Sequence, residues 1–379
     1  LDFDYTDDQK ALKDEARRFL ADAAPISVVR GILDNPERGH DAALWSRIAE
    51  QGWCGAAIPE AYGGLEFGHV ELCALAEELG RSLAPVPFAS SVYQFAEAVL
   101  VAGSLEQKQA LLPGIASGAS IGTLAISEGP GTVSAKRLAT SYANGTLTGT
   151  KLPVADGHAA DKAIVLAIGS DGPVLVVADL AGPGVSRDMV ASLDPTRGAA
   201  RIVFDNAPAQ LLGEGQDGMA MLSRIHDRAA VLTSFEQLGG ADRALEMARD
   251  YALERYAFGR PIGSYQAIKH KLADVFIRNE VARASAYYGA WALSSDASEL
   301  PIAAAAARIA GCNAYWLAAK ENIQTHGGVG FTWEYDCHLH YRRARHLGLA
   351  LGSVKVWKRK LTDRLEAQRT IAIAERAVA

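Results

Sequence analysis

The spacing of apolar residues changes twice along the chain, dividing it into helical, β and helical thirds. From Thr6 to about Gly114, apolar positions recur at helical spacing. Thr6-Asp7-Asp8-Gln9 has the form of a capping box, and Leu12, Ala16, Phe19 and Leu20 give the helix it opens an apolar face. Trp45 to Gly52 and Val70 to Leu79 predict further helices, the second closed by Gly80 as a C-cap. Pro59-Glu60-Ala61-Tyr62-Gly63-Gly64 predicts a loop between them, its paired glycines permitting positive φ.

Between Ser120 and Leu212 helical periodicity disappears. Asn144-Gly145 is a hairpin signal between Ala139–Tyr142 and Thr146–Leu152. Ala163–Ile168 and Val174–Ala178 are apolar, β-branched runs joined by Gly169-Ser170-Asp171-Gly172, a second hairpin. Ala200–Phe204 predicts one more strand, ended by Asn206-Ala207-Pro208. The stretch reads as a compact antiparallel β domain, a small barrel or sandwich.

From Asp217 onward the pattern predicts at least four helices: Met219–Arg255, Ala267–Ser294, Ile302–Thr325 and Ser353–Glu375. Ala282, Ala286, Gly289, Ala290 and Leu293 form a small-residue stripe suited to close helix packing, and the short connections imply a bundle. The fold class is therefore α+β and multi-domain. A helical domain (1–117) precedes a central antiparallel β barrel (118–216) and a C-terminal four-helix bundle (217–379). Strands and helices do not alternate, so a Rossmann chain is excluded. No GxGxxG follows a strand, and no Walker A motif is present.

Composition narrows the function classes. The 379 residues are 49% hydrophobic and 22% charged, ordinary for a globular protein with a large core. A net charge of −6 argues against a nucleic-acid binder with a basic face. The longest uncharged run, Gln109 to Ser127, holds Pro113 and three glycines and makes a poor membrane span. Leu1-Asp2-Phe3-Asp4 shows no signal-peptide pattern, and the lack of an initiating Met leaves room for residues upstream. Cys54, Cys73, Cys312 and Cys337 form no CxxC pair or zinc spacing and read as reduced thiols. A cytoplasmic enzyme is the expectation.

Candidate chemistry concentrates between two helices, in Arg255-Tyr256-Ala257-Phe258-Gly259-Arg260-Pro261-Ile262 and on to Gln266. Gly259 and Pro261 break the helix there and present an Arg, an aromatic ring and an amide at one corner. Such a corner offers charge to a phosphate and a flat face to a ring. Taken locally, the plainer reading, an interhelical turn with a packed Phe and a surface Arg, is favoured.

Arg255-xx-Phe258-Gly259-Arg260-Pro261-Ile262-xxx-Gln266 resembles the flavin-binding signature of the acyl-CoA dehydrogenase family. Gln324-Thr325-His326-Gly327-Gly328-Val329-Gly330 is similar to that family's QxxGGxG loop. Pro59-Glu60-xx-Gly63-Gly64, with Glu77-Glu78-Leu79-Gly80 downstream, resembles its N-terminal domain. The resemblance implies FAD as cofactor, with Arg255, Phe258 and Gln266 of one subunit at its diphosphate and adenosine end. Gln324, Gly327 and Gly328 would come from a neighbouring subunit. It implies α,β-desaturation of an acyl-CoA thioester, with a carboxylate removing the α-proton and the β-hydride passing to the flavin. Electrons would leave to an electron-transfer flavoprotein or similar acceptor. Ser127 stands where a hydroxyl meets the flavin ring, and Ser353 is a further FAD donor.

The departures are as informative as the matches. The family's Glu base falls at Leu351, which accepts no proton. An alternative family position falls near Ala229, also inert. Asp227 is the nearest carboxylate and the candidate base, its plainer reading being a surface ion pair; Glu236 lies about two helical turns beyond. The flavin-covering Trp-x-Thr is replaced by Pro153-Val154-Ala155. Leu83-Ala84-Pro85-Val86-Pro87 and Asp156-Gly157-His158-Ala159-Ala160-Asp161 resemble a bacterial branch active in steroid side-chain degradation, as does Gly327 to Glu334. In that branch two unlike subunits form an α2β2 assembly and divide the flavin and base residues. Three readings stay open: a FAD-contributing chain whose partner supplies the base, a homodimer or homotetramer using Asp227, and a non-catalytic subunit. A fold-related flavin monooxygenase is a fourth.

Other features carry less. His338 and His340 are two apart and do not share a helix face, and no metal-ligand spacing is present. Arg342, Arg343 and Arg345 would suit CoA phosphates, but more plainly form a solvated helix face or an intersubunit ion-pair site.

Overall fold

The computed structural model describes residues 5–215 and 217–378, so the start at Leu1–Asp4 lies outside the described residues. The first third is helical: α1 (Asp7–Ala23), α2 (Ile26–Leu33), α3 (Ala42–Glu50), α4 (His69–Arg81), a π-helix (Ala89–Ala96), α5 (Glu97–Ala102) and α6 (Leu105–Ala116). Seven strands follow: β1 (Gly122–Ala125), β2 (Ser141–Ala143), β3 (Thr146–Ala155), β4 (Lys162–Ile168), β5 (Pro173–Asp179), β6 (Val185–Met189) and β7 (Ala199–Leu211). The chain then enters α7 (Gly218–Glu254), the short strands β8 (Tyr256–Ala257) and β9 (Arg260–Pro261), α8 (Gln266–Ser294), α9 (Leu300–His326), α10 (Cys337–Ala350) and α11 (Val354–Val378). Packing groups these into two compact units. One comprises Ala16–Leu72 with Ala84–Ala229, and the other comprises residues up to Glu15, Cys73–Leu83 and Ala230 onward.

In the first unit the sheet closes on itself. β2 pairs with β3, β3 with β7, β7 with β5 and β5 with β4, all antiparallel. The circuit returns through one parallel pair, Ser141 opposite Ile168. β1 adds a parallel pairing to β4, and β6 lines up on β7. The expected barrel is there, with these two parallel contacts added. Asn144 and Gly145 both take positive φ, as a two-residue hairpin loop requires. In β4, Ala163, Ile164, Val165, Leu166 and Ala167 are all buried, as in a strand covered on both faces. Ile164 and Leu166 join one core with Phe95, Val99, Leu112, Leu124 and Ile225.

One sequence expectation fails here and one strand goes unread in the sequence, each for an identifiable reason. β7 does not stop at Phe204 but runs through Asn206-Ala207-Pro208. Asn206 takes φ 52° and the register shifts opposite Leu147/Gly149, so an irregularity absorbs the break that proline would impose. The polar residues of β6 gave no alternating pattern to read; four of its five positions are exposed.

In the second unit the reciprocal cap at the start of α1 is present. The Gln9 N–H donates to Thr6 Oγ1 at 3.3 Å, and the Thr6 N–H donates to Gln9 Oε1 at 3.0 Å. The Ala282-to-Leu293 stripe is buried on α8. Ala241, Ala244, Val275, Tyr315, Ala318, Ala344 and Leu347 make a shared core of α7, α8, α9 and α10. α10 adds a fifth long segment to the four helices that periodicity predicts.

Gly80 is not a C-cap, because α4 continues to Arg81. A Cβ on Gly80 would lie 1.8 Å from the Glu236 carbonyl oxygen, and one on Gly239 would lie 1.7 Å from that of Glu77. The two glycines let α4 and α7 cross at backbone contact. Gly239→Ala is expected to cost about 2 kcal/mol through overpacking, read as a lower urea midpoint at unchanged slope. A loss below about 0.5 kcal/mol would mean the helices part freely.

Candidate functional site

The Arg255–Gln266 corner is a miniature hairpin. Tyr256 pairs with Pro261 and Ala257 with Arg260, leaving Phe258 and Gly259 as the two-residue tip. Both tip residues have positive φ, 52° and 79°. That suits glycine but is uncommon and strained for a bulky aromatic. The Phe258 ring is 97% exposed, so the expectation of a packed Phe is wrong. No apolar burial within the chain accounts for an aromatic held in this conformation.

The hairpin is braced from behind. The Arg255 N–H donates to the Tyr251 carbonyl and the Ile262 N–H to the Arg255 carbonyl, both at 2.8 Å. Tyr265 Oη donates to the Ala257 carbonyl at 3.0 Å, and Ser264 Oγ to that of Pro261 at 2.7 Å. The Arg260 guanidinium lies 3.9 Å over the Tyr265 ring. The Arg255 side chain stays exposed, and Gln266, also exposed, is the first residue of the 29-residue α8. No side chain caps that end, where the helix dipole is positive. Tyr265 is a candidate that the motif reading passed over, since only the fold stacks it against Arg260.

Gln324, Gly327 and Gly328 lie at the end of a neighbouring helix of the same unit. Gln324 is exposed in the last turn of α9. Gly327 ends that helix at φ 64° and ψ −138°, a glycine conformation. A Cβ on either Gly327 or Gly328 would meet nothing within 4 Å, so a ligand can approach this backbone closely. His326 ties the loop to the hairpin: its ring stacks on Tyr251 with centroids 4.1 Å apart, one turn before Arg255. Its Nδ1 lies 2.9 Å from the Asn322 carbonyl. Burial lowers the imidazole's pKa despite that bond, so the ring is neutral at pH 7. The ends of the two motif-bearing helices, α7 and α9, thus meet within one chain. The reason is local: Tyr251 and His326 close the ends of two neighbouring helices of one bundle.

Farther along α8 and α9, Lys271, Asp274, Ile277, Arg278, Leu317 and Glu321 line a cleft of about 390 Å³. Lys271 Nζ lies 3.6 Å from Glu321 Oε2 across it.

Leu351 and Ser353 occupy the corner between α10 and α11. Leu351 is buried, and its carbonyl accepts the Trp357 indole N–H at 2.9 Å. Gly352 turns the chain at φ 92°, and Ser353 is half-buried. Glu236 is buried 3.6 Å from Arg343. Of the arginine run, only Arg345 is exposed, lying 4.7 Å over Trp316. Arg342 lies 5.5 Å over Trp333, and Arg343 is buried. The expected solvated face is therefore mostly a set of packed guanidinium groups. His338 stacks on Trp333 while His340 is buried against Tyr315 Oη, on different faces as their spacing predicts.

Ser127, Asp227 and Ala229 belong to the barrel-containing unit. Ser127 Oγ donates to the Gly129 carbonyl at 3.1 Å, and its carbonyl accepts the Leu152 N–H at 2.7 Å. Beside it Glu128 takes Lys151 Nζ at 2.7 Å and the N–H groups of Ala139 and Thr140. Burial would raise this carboxyl's pKa, but those bonds hold it at about 2. Asp227 is buried, which corrects the expectation that it sits on the surface, and Ala229 is fully buried.

Comparison with known proteins settles the kinship. The N-terminal domain model of acyl-CoA dehydrogenases matches residues 6–119, and the C-terminal domain model matches residues 216–365. Acyl-CoA dehydrogenase IpdE2 of Mycobacterium tuberculosis is 33% identical over 96% of this chain and 97% of its own. The chain belongs to the acyl-CoA dehydrogenase family. Acyl-CoA dehydrogenases are FAD-dependent oxidoreductases acting on acyl-CoA. Among solved structures, a point variant of the Tcur3481–Tcur3483 steroid acyl-CoA dehydrogenase superposes with TM-score 0.85 at 31% identity. That match covers 98% of this chain and 99% of the other. The ChsE4–ChsE5 complex of M. tuberculosis gives TM-score 0.87 at 27% identity, covering 97% and 99%. The likeness thus reaches the steroid-type acyl-CoA dehydrogenases that the motifs point to.

The residues present suit the family's cofactor. An exposed guanidinium fork matches a diphosphate, two primary amides offer donors and acceptors, and open glycine backbone admits close approach. No described helix is long and apolar enough to cross a membrane.

Proposed function

We propose that this chain brings the FAD-holding face to a heteromeric acyl-CoA dehydrogenase whose partner subunit supplies the carboxylate base. The observation that carries this reading is the strained, wholly exposed Phe258 on a braced hairpin beside Arg255 and Gln266. Arg255 would neutralise the diphosphate, Gln266 and Gln324 would meet polar edges of the cofactor, and Gly327-Gly328 would bring backbone N–H groups close. Ser127 and Ser353 would donate hydroxyls nearer the flavin ring. Bound there, FAD supplies the hydride acceptor for desaturation. Removing the α-proton of the thioester needs a base of carboxylate type. Leu351 is apolar and its corner is filled by Trp357, while Ala229 is inert and packed. A second chain with a carboxylate at the equivalent place would complete the reaction, and similarity to the ChsE4–ChsE5 complex supports such an assembly.

A homo-oligomer using Asp227 is the second reading, favoured by the burial of that carboxylate. Under either, the division at 1–117, 118–216 and 217–379, a bulky steroid-derived thioester, an electron-transfer flavoprotein as acceptor and a cytoplasmic location belong to the proposal.

The test is spectroscopic. The chain purified alone and the chain co-expressed with a homologous partner are each scanned in the visible range, then titrated anaerobically with acyl-CoA. Flavin uptake and bleaching only in the co-expressed form is the expected result. A yellow protein that bleaches without a partner would overturn the divided site. An Asp227→Asn variant with undiminished turnover would remove the second reading.

A further inference from the structure

Arg308 lies mid-way along α9 with no exposed surface, and among the described residues no carboxylate is within ion-pair distance of it. Nη1 donates to Gln237 Oε1 at 3.0 Å, Nη2 donates to the Leu347 carbonyl, and the buried Nε has no partner. Other arginines packed into this unit are differently served. Arg343 faces Glu236 at 3.6 Å, and Arg283 bonds both Glu77 and Asp242. Taking a guanidinium out of water is costly, and neutral oxygens return less than a carboxylate does. Stability alone is therefore a poor reason for this side chain.

What Arg308 holds is specific. Leu347 is in the last turn of α10, where carbonyls lack intrahelical partners and the helix dipole is negative. One turn later comes the Leu351-Gly352-Ser353 corner, tied on its far side by Trp357 Nε1 to the Leu351 carbonyl. The Gln237 amide that steadies the guanidinium is itself aimed, its Nε2 lying 3.4 Å from Cys312 Sγ. A Cβ on Gly311 would lie 3.0 Å from Gln237 Oε1, so the glycine leaves room for that amide.

We infer that Arg308 is a positioning residue, a buried clamp on the end of α10 that fixes the corner presenting Ser353 to the flavin. The inference rests on the assignment of Ser353 as a flavin contact. Arg308 touches no cofactor itself. It spends its hydrogen bonds on backbone geometry, so its loss acts through Ser353.

The test compares Arg308→Met, which keeps the unbranched stem without donors, with Arg308→Lys, which keeps the charge as a single point. Both are made in the assembly as it purifies with its flavin. Three quantities are read: the thermal midpoint, hydrogen exchange of the peptide covering residues 347–357, and FAD affinity by flavin fluorescence. Arg308→Met is expected to keep or raise the midpoint while exchange and the FAD dissociation constant each rise about tenfold. Arg308→Lys recovers part of both. Wild-type exchange across 347–357 in Arg308→Met overturns the clamp. Faster exchange with unchanged FAD affinity overturns its connection to the flavin. If the wild type takes up no flavin, the functional reading fails, and the exchange measurement still decides whether Arg308 holds the corner.

Discussion

Arg255→Ala is expected to weaken FAD binding about a hundredfold while leaving the fold intact. The guanidinium is exposed and the residue's backbone N–H and carbonyl carry the structural bonds, to Tyr251 and from Ile262. Alanine preserves both and continues the helical end of α7 without strain. What is lost is a charge-assisted, bidentate contact with a diphosphate, worth about 1.5–3 kcal/mol, or roughly 10- to 150-fold in affinity. Fluorescence titration of FAD into the apoprotein measures it, with the thermal midpoint as control. Affinity within twofold of wild type would show that this hairpin is not the diphosphate site. Arg255→Lys should recover only part of the loss, because an ammonium lacks the planar fork.

Glu97→Leu is expected to destabilise the barrel-containing unit by about 4 kcal/mol. Glu97 is buried, with His69 Nε2 at 2.8 Å and the Arg228 guanidinium donating through Nε at 2.5 Å. Removing the carboxylate takes from a largely buried guanidinium a charged partner at hydrogen-bond distance, and leucine offers no acceptor in its place. The group also sets an acid limit. Burial would raise its pKa, but His69 and Arg228 hold it at about 2, below the ordinary carboxyl value of about 4.3. Its contribution is therefore fully present above about pH 4.3 and drains away as pH falls through 2. The stability gap between wild type and Glu97→Leu should accordingly shrink on acidification from pH 5 toward pH 2. Urea unfolding across that range measures it. A gap independent of pH would mean that Glu97 is not ionised in the folded protein.

Both residues show how unevenly the sequence carries information. Arg255 was legible because its motif is contiguous: an Arg, a Phe and a Gln at fixed spacing across a helix break. Glu97 was invisible, since its partners lie 28 and 131 residues away and nothing local marks a buried carboxylate. The exposure of Phe258 was misread for a related reason. An aromatic in a turn is normally packed, and only the positive φ and bare surroundings show otherwise. Gly80 failed likewise, because a glycine near a helix end has the same local look whether it caps that helix or admits a neighbour. Arg343, placed by the sequence on a solvated face or at an intersubunit ion-pair site, is buried, and nothing local marks Arg308 as buried either.

Determined by the sequence itself were the order of helices, barrel and bundle, both flavin-type motifs and the absence of a base at Leu351. Each rests on periodicity or residue identity over a few neighbouring positions. Decided only in the tertiary structure were the stacking of His326 on Tyr251 that joins the two motifs and the closure of the strands into a barrel. The buried clamp on α10 is of the same kind. The physical reason is common to all three. They depend on contacts between segments far apart in the chain, and burial and backbone approach exist only once those segments have packed.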